Sequence, residues 1–287
     1  MRKILGWLFL AILTSLISFW AFWGIVESFY EGWYFTSFID NCWLTVSRYL
    51  LPVWILLIPG TISIHYKKIG TIIFIVLGIT IAYYFSQWFF FIPLFAIAGL
   101  GWASELPSKK ISLLMVLGLP IVTLIVSGAQ PAYRVATRYN ANISEPFTTL
   151  VNKQKLNWAP PGPGWPSAAT NWNEANEICL HLSPDGQYVS DTIVGLWRLP
   201  TVEEIVVSTH YHGKPMPGTW YPESKKTQFK ITPDKEPPLW NSHSPIIYWW
   251  TANASKDSAL MYSFNGVVFT QEKHHKAGYY GFRAVRL

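Results

Sequence analysis

Apolar residues dominate the first 130 positions of the chain in long runs, and polar residues interrupt these runs only briefly. A membrane-spanning helix needs about 20 mostly apolar residues to cross the hydrocarbon core of a bilayer. Several runs meet this requirement, and they predict helices at about 4–26, 43–64, 69–85, 88–104 and 111–127. We therefore expect residues 1–130 to form an α-helical transmembrane bundle of about five helices.

Two regions allow a second interpretation. The first run follows Arg2 and Lys3, as in a signal peptide, but it is too long and no small-residue cleavage site precedes the next run, which favours an uncleaved helix. The run at 69–103 is long enough for one tilted helix or for two short helices joined by an interfacial turn at 83–88. The count is therefore four helices or five.

The basic residues favour five helices. With a turn at 83–88, six flanking basic residues fall on one side of the membrane, as the positive-inside rule requires. These residues are Arg2, Lys3, Lys67, Lys68, Lys109 and Lys110. Five helices predict a protein of the cytoplasmic (inner) membrane with its C-terminal domain extracytoplasmic. Four helices would leave that domain in the cytoplasm, and Arg134 and Arg138 after the last helix weaken the case for five.

The pattern changes after the last apolar run. Residues 131–170 are polar and then rich in Pro and Gly, which predicts a linker, and residues 171–287 predict a soluble domain. From Asn171, apolar residues recur at spacings of three and four, and Glu174 completes a capping box, so a helix begins there. Cys179 lies on its apolar face, which indicates a core residue rather than a nucleophile.

A second capping box, Thr201 with Glu204, predicts another helix in the domain. Three later segments, 246–252, 259–264 and 267–270, have the composition of strands. Asn265-Gly266 separates the last two and is a strong hairpin signal. The domain is therefore predicted to be of the α+β class.

Charge and cysteine content exclude some functions. The chain has 22 Lys and Arg against 16 Asp and Glu. Nine of the basic and four of the acidic residues precede Asn140, so the second half is nearly neutral and a nucleic-acid partner is not expected. Two cysteines, one in each half, allow no disulfide within the domain and no multi-cysteine metal site.

Several motifs occur together in the second half: Trp172, Trp197, Arg198, Pro200, Thr201, Glu204, Gly281, Phe282 and Arg283. In this order they resemble the formylglycine-generating-enzyme (sulfatase-modifying factor) superfamily. The resemblance covers most of residues 171–287 and none of the first half. It implies a C-type-lectin-like domain of two helices and small twisted sheets, in which Arg198 and Arg283 are framework residues that bind backbone carbonyls.

The chain departs from that family where its chemistry lies. Oxidising members use a cysteine pair near the C-terminus, and this chain has no cysteine between Trp240 and Leu287. Formylglycine generation is therefore excluded, no cofactor is expected, and the resemblance points to the cysteine-poor bacterial branch of binding modules. Histidines offer an alternative metal site with Asp234 or Glu236, but their spacing is unspecific and we predict no metal. They are His210, His212, His274 and His275.

These observations predict a catalytically inactive binding module, anchored in a lipid bilayer, that recognises a glycan, an envelope component or a protein. The long loop Thr209 to Trp240 is the expected site, because it is rich in aromatic residues and prolines. Its candidate ligand-binding residues are Trp220, Tyr221, Asp234, Glu236 and Trp240. A core position for Trp240 is the competing interpretation. An enzyme with a non-cysteine metal site and a membrane sensor or complex subunit are the alternative functions.

Overall fold

A computed structural model describes residues 1–86, 89, 91–140, 147–151 and 154–287. The chain forms two compact units. The helical unit contains Met1–Trp33 and Ser37–Thr137, and the C-terminal unit contains Arg138–Leu287 together with the short segment Tyr34–Thr36.

The helical unit consists of apolar helices linked by short connections. They are α1 (Arg2–Glu31), α2 (Phe38–Leu44), α3 (Leu51–His65), α4 (Lys67–Phe85), α5 (Phe91–Ala103), α6 (Lys109–Leu113) and α7 (Leu119–Ala136). A π-helical turn joins α2 to Leu50 and another joins α6 to α7. Ser37 and Ser108 cap α2 and α6 by accepting bonds from backbone N–H groups.

Three helical segments are long and apolar enough to cross a membrane, namely α1, α4 and the continuous segment Lys109–Ala136. A fourth is reached if α2 and α3, which are bent by 64° against each other, form one span. The helix α5 has 13 residues and is shorter than a span. The described part of the unit therefore has the three to four spanning helices of a membrane protein.

Residues 69–103 do not form one continuous helix. The helix α4 ends at Phe85, where Ser86 adopts a left-handed conformation with φ 53°. Gly78 of α4 lies against the Phe95 ring, so α5 packs back along α4. Gln87 and Trp88, part of the predicted interfacial turn, lie outside the described residues.

Polar contacts define the two ends of this helical unit. At one end, Lys67 Nζ donates to the Ser104 carbonyl at 2.5 Å, and the Glu105 N–H donates to the Arg2 carbonyl at 3.1 Å. At the other end, Arg134 of α7 donates to the Tyr30 hydroxyl at 3.3 Å. The N-termini of α1 and α4 therefore share an end, and the C-termini of α1 and α7 share the opposite one.

The interior and the exterior of the helical unit are both apolar. Phe9, Leu13, Ile17, Phe74 and Ile97 are fully buried in its core. Large apolar side chains also cover the outside of α4 and α7, where they suit hydrocarbon rather than water. Examples are Ile72, Val76, Ile79, Ile121, Ile125 and Val126.

The C-terminal unit combines two helices with short strands. The helices are α8 (Trp172–His181) and α9 (Val202–Ser208). The strands are β1 (Phe147–Val151), β2 (Gln154–Trp158), β3 (His210–Tyr211), β4 (Lys214–Pro215), β5 (Thr219–Tyr221), β6 (Lys226–Gln228), β7 (Tyr248–Ala254), β8 (Ser258–Ser263), β9 (Val268–Glu272), β10 (Tyr280–Gly281) and β11 (Val285–Arg286). They form sheets β1-β2-β11 and β10-β7-β8-β9 and the ribbons β3-β4 and β5-β6.

The four-stranded sheet separates two hydrophobic clusters. Successive residues of a strand face opposite sides, and Trp249 packs in the cluster of α9 whereas Trp250 packs in the cluster of α8. Both predicted capping boxes are present at the starts of these helices, and Cys179 is buried as predicted. The Asn265-Gly266 turn joins β8 and β9, with Gly266 at φ 84°.

The predicted linker at 131–170 needs correction. The strands β1 and β2 form a hairpin, and β2 pairs with the C-terminal strand β11. Leu156, Trp158 and Trp165 are buried, and the Trp165 indole N–H donates to the Leu239 carbonyl at 3.1 Å. The alternation of Leu156 and Trp158 with polar neighbours is a strand signal that the following Pro-Gly run obscured. The fold of the domain therefore begins well before residue 171.

Candidate functional site

An open groove lies at one end of the four-stranded sheet, with a volume of about 400 Å³. Strand pairing builds it, because Tyr248 of β7 lies between its partners Ser263 of β8 and Tyr280 of β10. We call it the aromatic groove, and its lining residues are Tyr248, Ser263, Phe264, Asn265, Val267, Phe269, Tyr279 and Tyr280.

The rings of the aromatic groove meet at steep angles. The Tyr248 centroid is 5.3 Å from that of Tyr279, 5.5 Å from that of Phe269 and 5.8 Å from that of Tyr280. The interplanar angles are 58°, 83° and 75°, respectively. Edge-to-face packing of this kind is favourable, and it holds the rings as the walls of a concave surface rather than as one flat plate.

Uncharged polar groups accompany the rings. Ser263 Oγ lies 2.5 Å from Asn265 Oδ1, which also accepts from the Val267 N–H at 3.3 Å. These bonds engage the carboxamide oxygen of Asn265, so its nitrogen is the atom that can donate to a ligand. The hydroxyl of the buried Tyr280 accepts from Gln271 Nε2, outside the groove, at 3.0 Å.

The aromatic residues predicted as ligand contacts do not share one surface. Trp220 and Tyr221 are neighbours on β5 and face opposite sides. Trp220 is partly buried and packs against the core, whereas Tyr221 is exposed and its hydroxyl donates to Gln228 at 3.0 Å. Trp240 is 6% exposed and belongs to the core, with the Arg138 guanidinium 5.0 Å from its ring. Trp240 therefore occupies the core position that was the competing interpretation of this residue.

The two predicted acidic residues form a separate cluster. Asp234 pairs with Arg138 at 3.9 Å, and Glu236 accepts from the His212 backbone N–H at 3.2 Å. Burial, with a smaller contribution from the charge of Asp234, raises the pKa of Glu236 to about 7, while the His212 N–H and the Arg138 guanidinium oppose this shift. Glu236 is therefore a half-buried carboxyl that is readily protonated.

A small cavity lies behind this cluster, between α9 and the sheet. Glu236, Trp249, Tyr262 and Phe264 are among its lining residues, and its volume of about 10 Å³ is roughly that of one water molecule. Within the described part of the chain, the buried Trp249 indole nitrogen and Tyr262 hydroxyl have no hydrogen bond of standard geometry. Burial raises the pKa of Tyr262. Phe264 lines both this cavity and the aromatic groove.

The histidines do not converge on a metal site. The two-residue strand β3 contains His210, but His212 lies in the following turn with φ 48°, so the alternation of a strand does not place both rings on one face. His274 pairs with Glu272 at 3.3 Å on the surface. Within the described ranges, no three His, Cys, Asp or Glu side chains are grouped to hold a metal ion.

The residues that carry the family resemblance lie at structural positions. Trp172 and Trp197 donate to the carbonyls of Thr251 and Ser183 at 2.9 and 2.8 Å. Phe282 is fully buried in the α8 cluster. The remaining motif residues other than the arginines support the backbone. The Pro200 carbonyl accepts a hydrogen bond from the Ala252 N–H. Thr201 and Glu204 cap α9, and the missing side chain of Gly281 leaves room for Ile246.

The two motif arginines differ in their surroundings. Arg198 binds the Glu204 carboxylate with both terminal nitrogens, at 2.8 and 2.5 Å, and 41% of its side chain is exposed. Burial raises the pKa of Glu204, but the hydrogen bonds from Arg198 and the Thr201 backbone outweigh this effect and leave it lowered. Arg283 is 3% exposed and donates to the carbonyls of Ala159 and Pro238. The described contacts of Arg283 are thus those of a framework residue.

The sequence alone did not single out the aromatic groove. Tyr248, Phe269 and Tyr280 come from three separate strands, so their proximity depends on pairings between distant parts of the chain. The available signal was the Tyr279-Tyr280 pair shortly before the C-terminal motif. Comparison of the chain with family models, with curated proteins and with solved structures finds no match in any of the three.

Proposed function

We propose that the chain is a membrane-anchored binding module without catalytic activity, whose C-terminal unit binds its ligand in the aromatic groove. The groove itself carries this proposal. Ligand sites typically have volumes of about 300–1,000 Å³ and mostly apolar and aromatic linings with a few polar groups, and five aromatic rings line this groove of about 400 Å³. The ligand is a glycan, an envelope component or a protein.

The composition of the groove favours binding over catalysis. Among the described residues that line it, Ser263 is the one serine, and no histidine, lysine or carboxylate accompanies it. A serine becomes an effective nucleophile only when a neighbouring base removes its proton. Ser263 instead directs its hydroxyl toward Asn265 Oδ1 and the Val267 carbonyl. Tyrosine and phenylalanine rings, by contrast, present rigid contact area at a low cost in conformational entropy.

We further propose that the C-terminal unit has the C-type-lectin-like fold of the formylglycine-generating-enzyme superfamily. Its order of two capped helices followed by small sheets supports this assignment, as does the buried position of Arg283 in the terminal Gly-Phe-Arg motif.

The proposed topology has five helices in the inner membrane, with α2 and α3 as one span and α5 as a short fifth helix. Contacts within the helical unit support it, because Arg2 and Lys67 lie at the end where α5 finishes and α6 begins. The six flanking basic residues then share one side, which the positive-inside rule places in the cytoplasm. The C-terminus of α7 lies at the opposite end, so the domain that follows is extracytoplasmic.

A reporter fusion tests this orientation. Alkaline phosphatase, which is active only outside the cytoplasm, should be active when it is fused after Tyr139. Green fluorescent protein fused at the same position should be exported unfolded and therefore show no fluorescence. The same pair fused after Lys68 provides the control and should give the opposite result. Fluorescence after Tyr139 without phosphatase activity would contradict the topology.

Removal of one wall of the aromatic groove should abolish binding while the fold persists. Tyr248 is partly exposed and packs on three neighbouring rings. Tyr248→Ala should reduce retention of the full-length chain on purified bacterial cell-wall and envelope fractions at least about tenfold, because the loss of one stacked ring removes about 1.5 kcal/mol or more of binding free energy.

The matched control is the pair of aromatic residues on β5. The double variant Trp220→Ala, Tyr221→Ala removes two rings that do not line the groove, so it should retain binding if it remains folded. A folded double variant that loses binding, together with normal binding by Tyr248→Ala, would return the site to the Thr209 to Trp240 loop.

A further inference from the structure

We infer that the ligand of the aromatic groove is an uncharged saccharide, an inference that rests on the proposed function and specifies its ligand class. The first reason is charge. Among the described residues that line the groove, none carries a formal charge at neutral pH. A carboxylate, phosphate or ammonium group that entered would lose hydration without gaining an ionic partner, which is unfavourable.

The second reason excludes a quaternary ammonium ligand, the common alternative for an aromatic cage. Lys235 Nζ lies 5.9 Å from the centroid of the Phe264 ring, which lines the groove. Lys235 is almost fully buried and does not line the groove. Among the described residues that line the groove, no carboxylate is present to balance the charge of a quaternary ammonium ligand.

The third reason is the combination of shapes and polar groups. A saccharide ring has apolar C–H faces and a rim of hydroxyl groups, so it suits a concave aromatic surface that has hydrogen-bond donors beside it. The walls meet at 58° to 83° around Tyr248. The carboxamide nitrogen of the exposed Asn265 can donate to the ligand's oxygens. A purely apolar ligand would leave this donor unused.

The position of the groove in the sheet disfavours an extended peptide. Peptides that bind sheets pair with the free backbone of an edge strand, and β9 is an edge of this sheet. The groove instead lies over side chains at one end of the sheet, from Tyr280 on β10 across Tyr248 to Phe269 on β9. A peptide in the groove would therefore gain side-chain contacts without a backbone ladder.

Calorimetric titration of the full-length chain tests this ligand class. The chain is held in phospholipid nanodiscs, because sugar-headed detergents would compete for the site. The probes are neutral oligomers of glucose, mannose and N-acetylglucosamine, matched uronic-acid oligomers, choline, and aromatic peptides. We expect at least one neutral oligomer to bind, its affinity to be independent of salt, and its uronic-acid counterpart to bind at least about tenfold more weakly.

The variants separate the ligand class from the location of the site. Tyr248→Ala and Phe269→Ala should each weaken binding of the neutral oligomer at least about tenfold. Tyr248→Phe keeps the ring and should bind nearly as well as the wild type, and Tyr188→Ala removes an exposed ring outside the groove and should have no effect. Labelling of the buried Cys179 thiol verifies that each variant is folded.

Two results would overturn the inference. If the wild type binds only charged saccharides, choline or peptides, or none of the probes, the ligand class is wrong. The proposed function then still stands, provided that the groove variants lose retention on envelope fractions. If folded groove variants bind every probe and every envelope fraction like the wild type, the groove is not the site, and both the ligand class and the proposed function fail.

Discussion

Replacement of Arg283 by methionine should unfold the C-terminal unit more readily than any of the substitutions above. Its Nε donates to the Ala159 carbonyl at 2.7 Å, and a terminal nitrogen donates to the Pro238 carbonyl. The guanidinium also stacks on Trp165, 3.7 Å from the ring centroid. One side chain thus joins the segment after β2, the loop before β7 and the C-terminus.

The expected loss of stability is about 3 kcal/mol, because each buried carbonyl that loses its donor costs about 1–3 kcal/mol. Removal of the buried charge offsets part of this loss of stability. Burial lowers the pKa of Arg283 well below its usual range, which indicates that the charge itself is costly to bury, and methionine relieves that cost while filling a similar volume. The net effect still favours the arginine, since its planar group matches two carbonyls and an indole face at once.

Cys179 reports this unfolding in the full-length chain. It is 1% exposed, and burial raises its pKa to about 12, so a maleimide reacts with it only after the unit opens. In a Cys42→Ser background, Arg283→Met should accelerate labelling about a hundredfold, since each 1.4 kcal/mol changes the open population tenfold. Equal labelling rates for the variant and its parent would contradict the framework role.

Arg198→Ala provides the comparison for Arg283→Met. Both arginines were predicted from the sequence to be framework residues, but the Arg198 side chain is 41% exposed and its main partner is Glu204. Partly exposed ion pairs contribute about 0–1 kcal/mol, and the capping bonds of Thr201 and Glu204 remain in place. We therefore expect less than about a tenfold increase in labelling.

Local signals predicted local structure well. The capping boxes at Asn171 and Thr201 start α8 and α9, and Asn265-Gly266 forms the turn before β9. Each of these features depends on residues three or four positions apart, so a single sequence contains the whole signal. The same reason explains the recognition of the long apolar helices from their composition.

Features that depend on distant pairing were not predicted. The hairpin of β1 and β2 is stabilised by β11, more than 120 residues away along the chain, and the sequence around it resembled a linker. Trp240 and Trp220 looked equivalent as loop aromatics, yet the first is buried beneath Arg138 and the second lies partly exposed on a ribbon. Exposure of an aromatic side chain is set by tertiary packing, which composition does not encode.

The stability of the C-terminal unit should fall as the pH rises through about 7, and Glu236 should be the cause. Its pKa is raised from 4.5 to about 7 in the folded protein. The folded state therefore binds this proton more strongly than the unfolded state, and the resulting stability is complete below about pH 4.5 and is lost as the folded carboxyl ionises. Glu174 and Glu204, whose pKa values are lowered, act in the opposite direction and only in acid.

Geometry explains why the charged form of Glu236 is disfavoured. Burial is the main cause of its raised pKa. The groups that face it are Asp234, Arg138, the His212 backbone N–H and Tyr262 across the small cavity, and the nearby His210 N–H is bonded to the Pro237 carbonyl. Asp234 repels a second negative charge, and Arg138, which would attract it, already pairs with Asp234 at 3.9 Å. Since Glu236 is only half-buried, solvent screening reduces the expected loss to about 1 kcal/mol between pH 5 and pH 8.

Glu236→Gln isolates this contribution. Glutamine keeps the acceptor for the His212 N–H but cannot ionise. The variant should therefore label at Cys179 several-fold more slowly than the wild type at pH 8 and at nearly the same rate at pH 5. Both labelling rates are first corrected for the pH dependence of maleimide reaction with a free thiol. Glu223→Gln, an exposed position in the turn between β5 and β6, should follow the wild type at both values. A pH dependence that persists unchanged in Glu236→Gln would show that this carboxyl is not its cause.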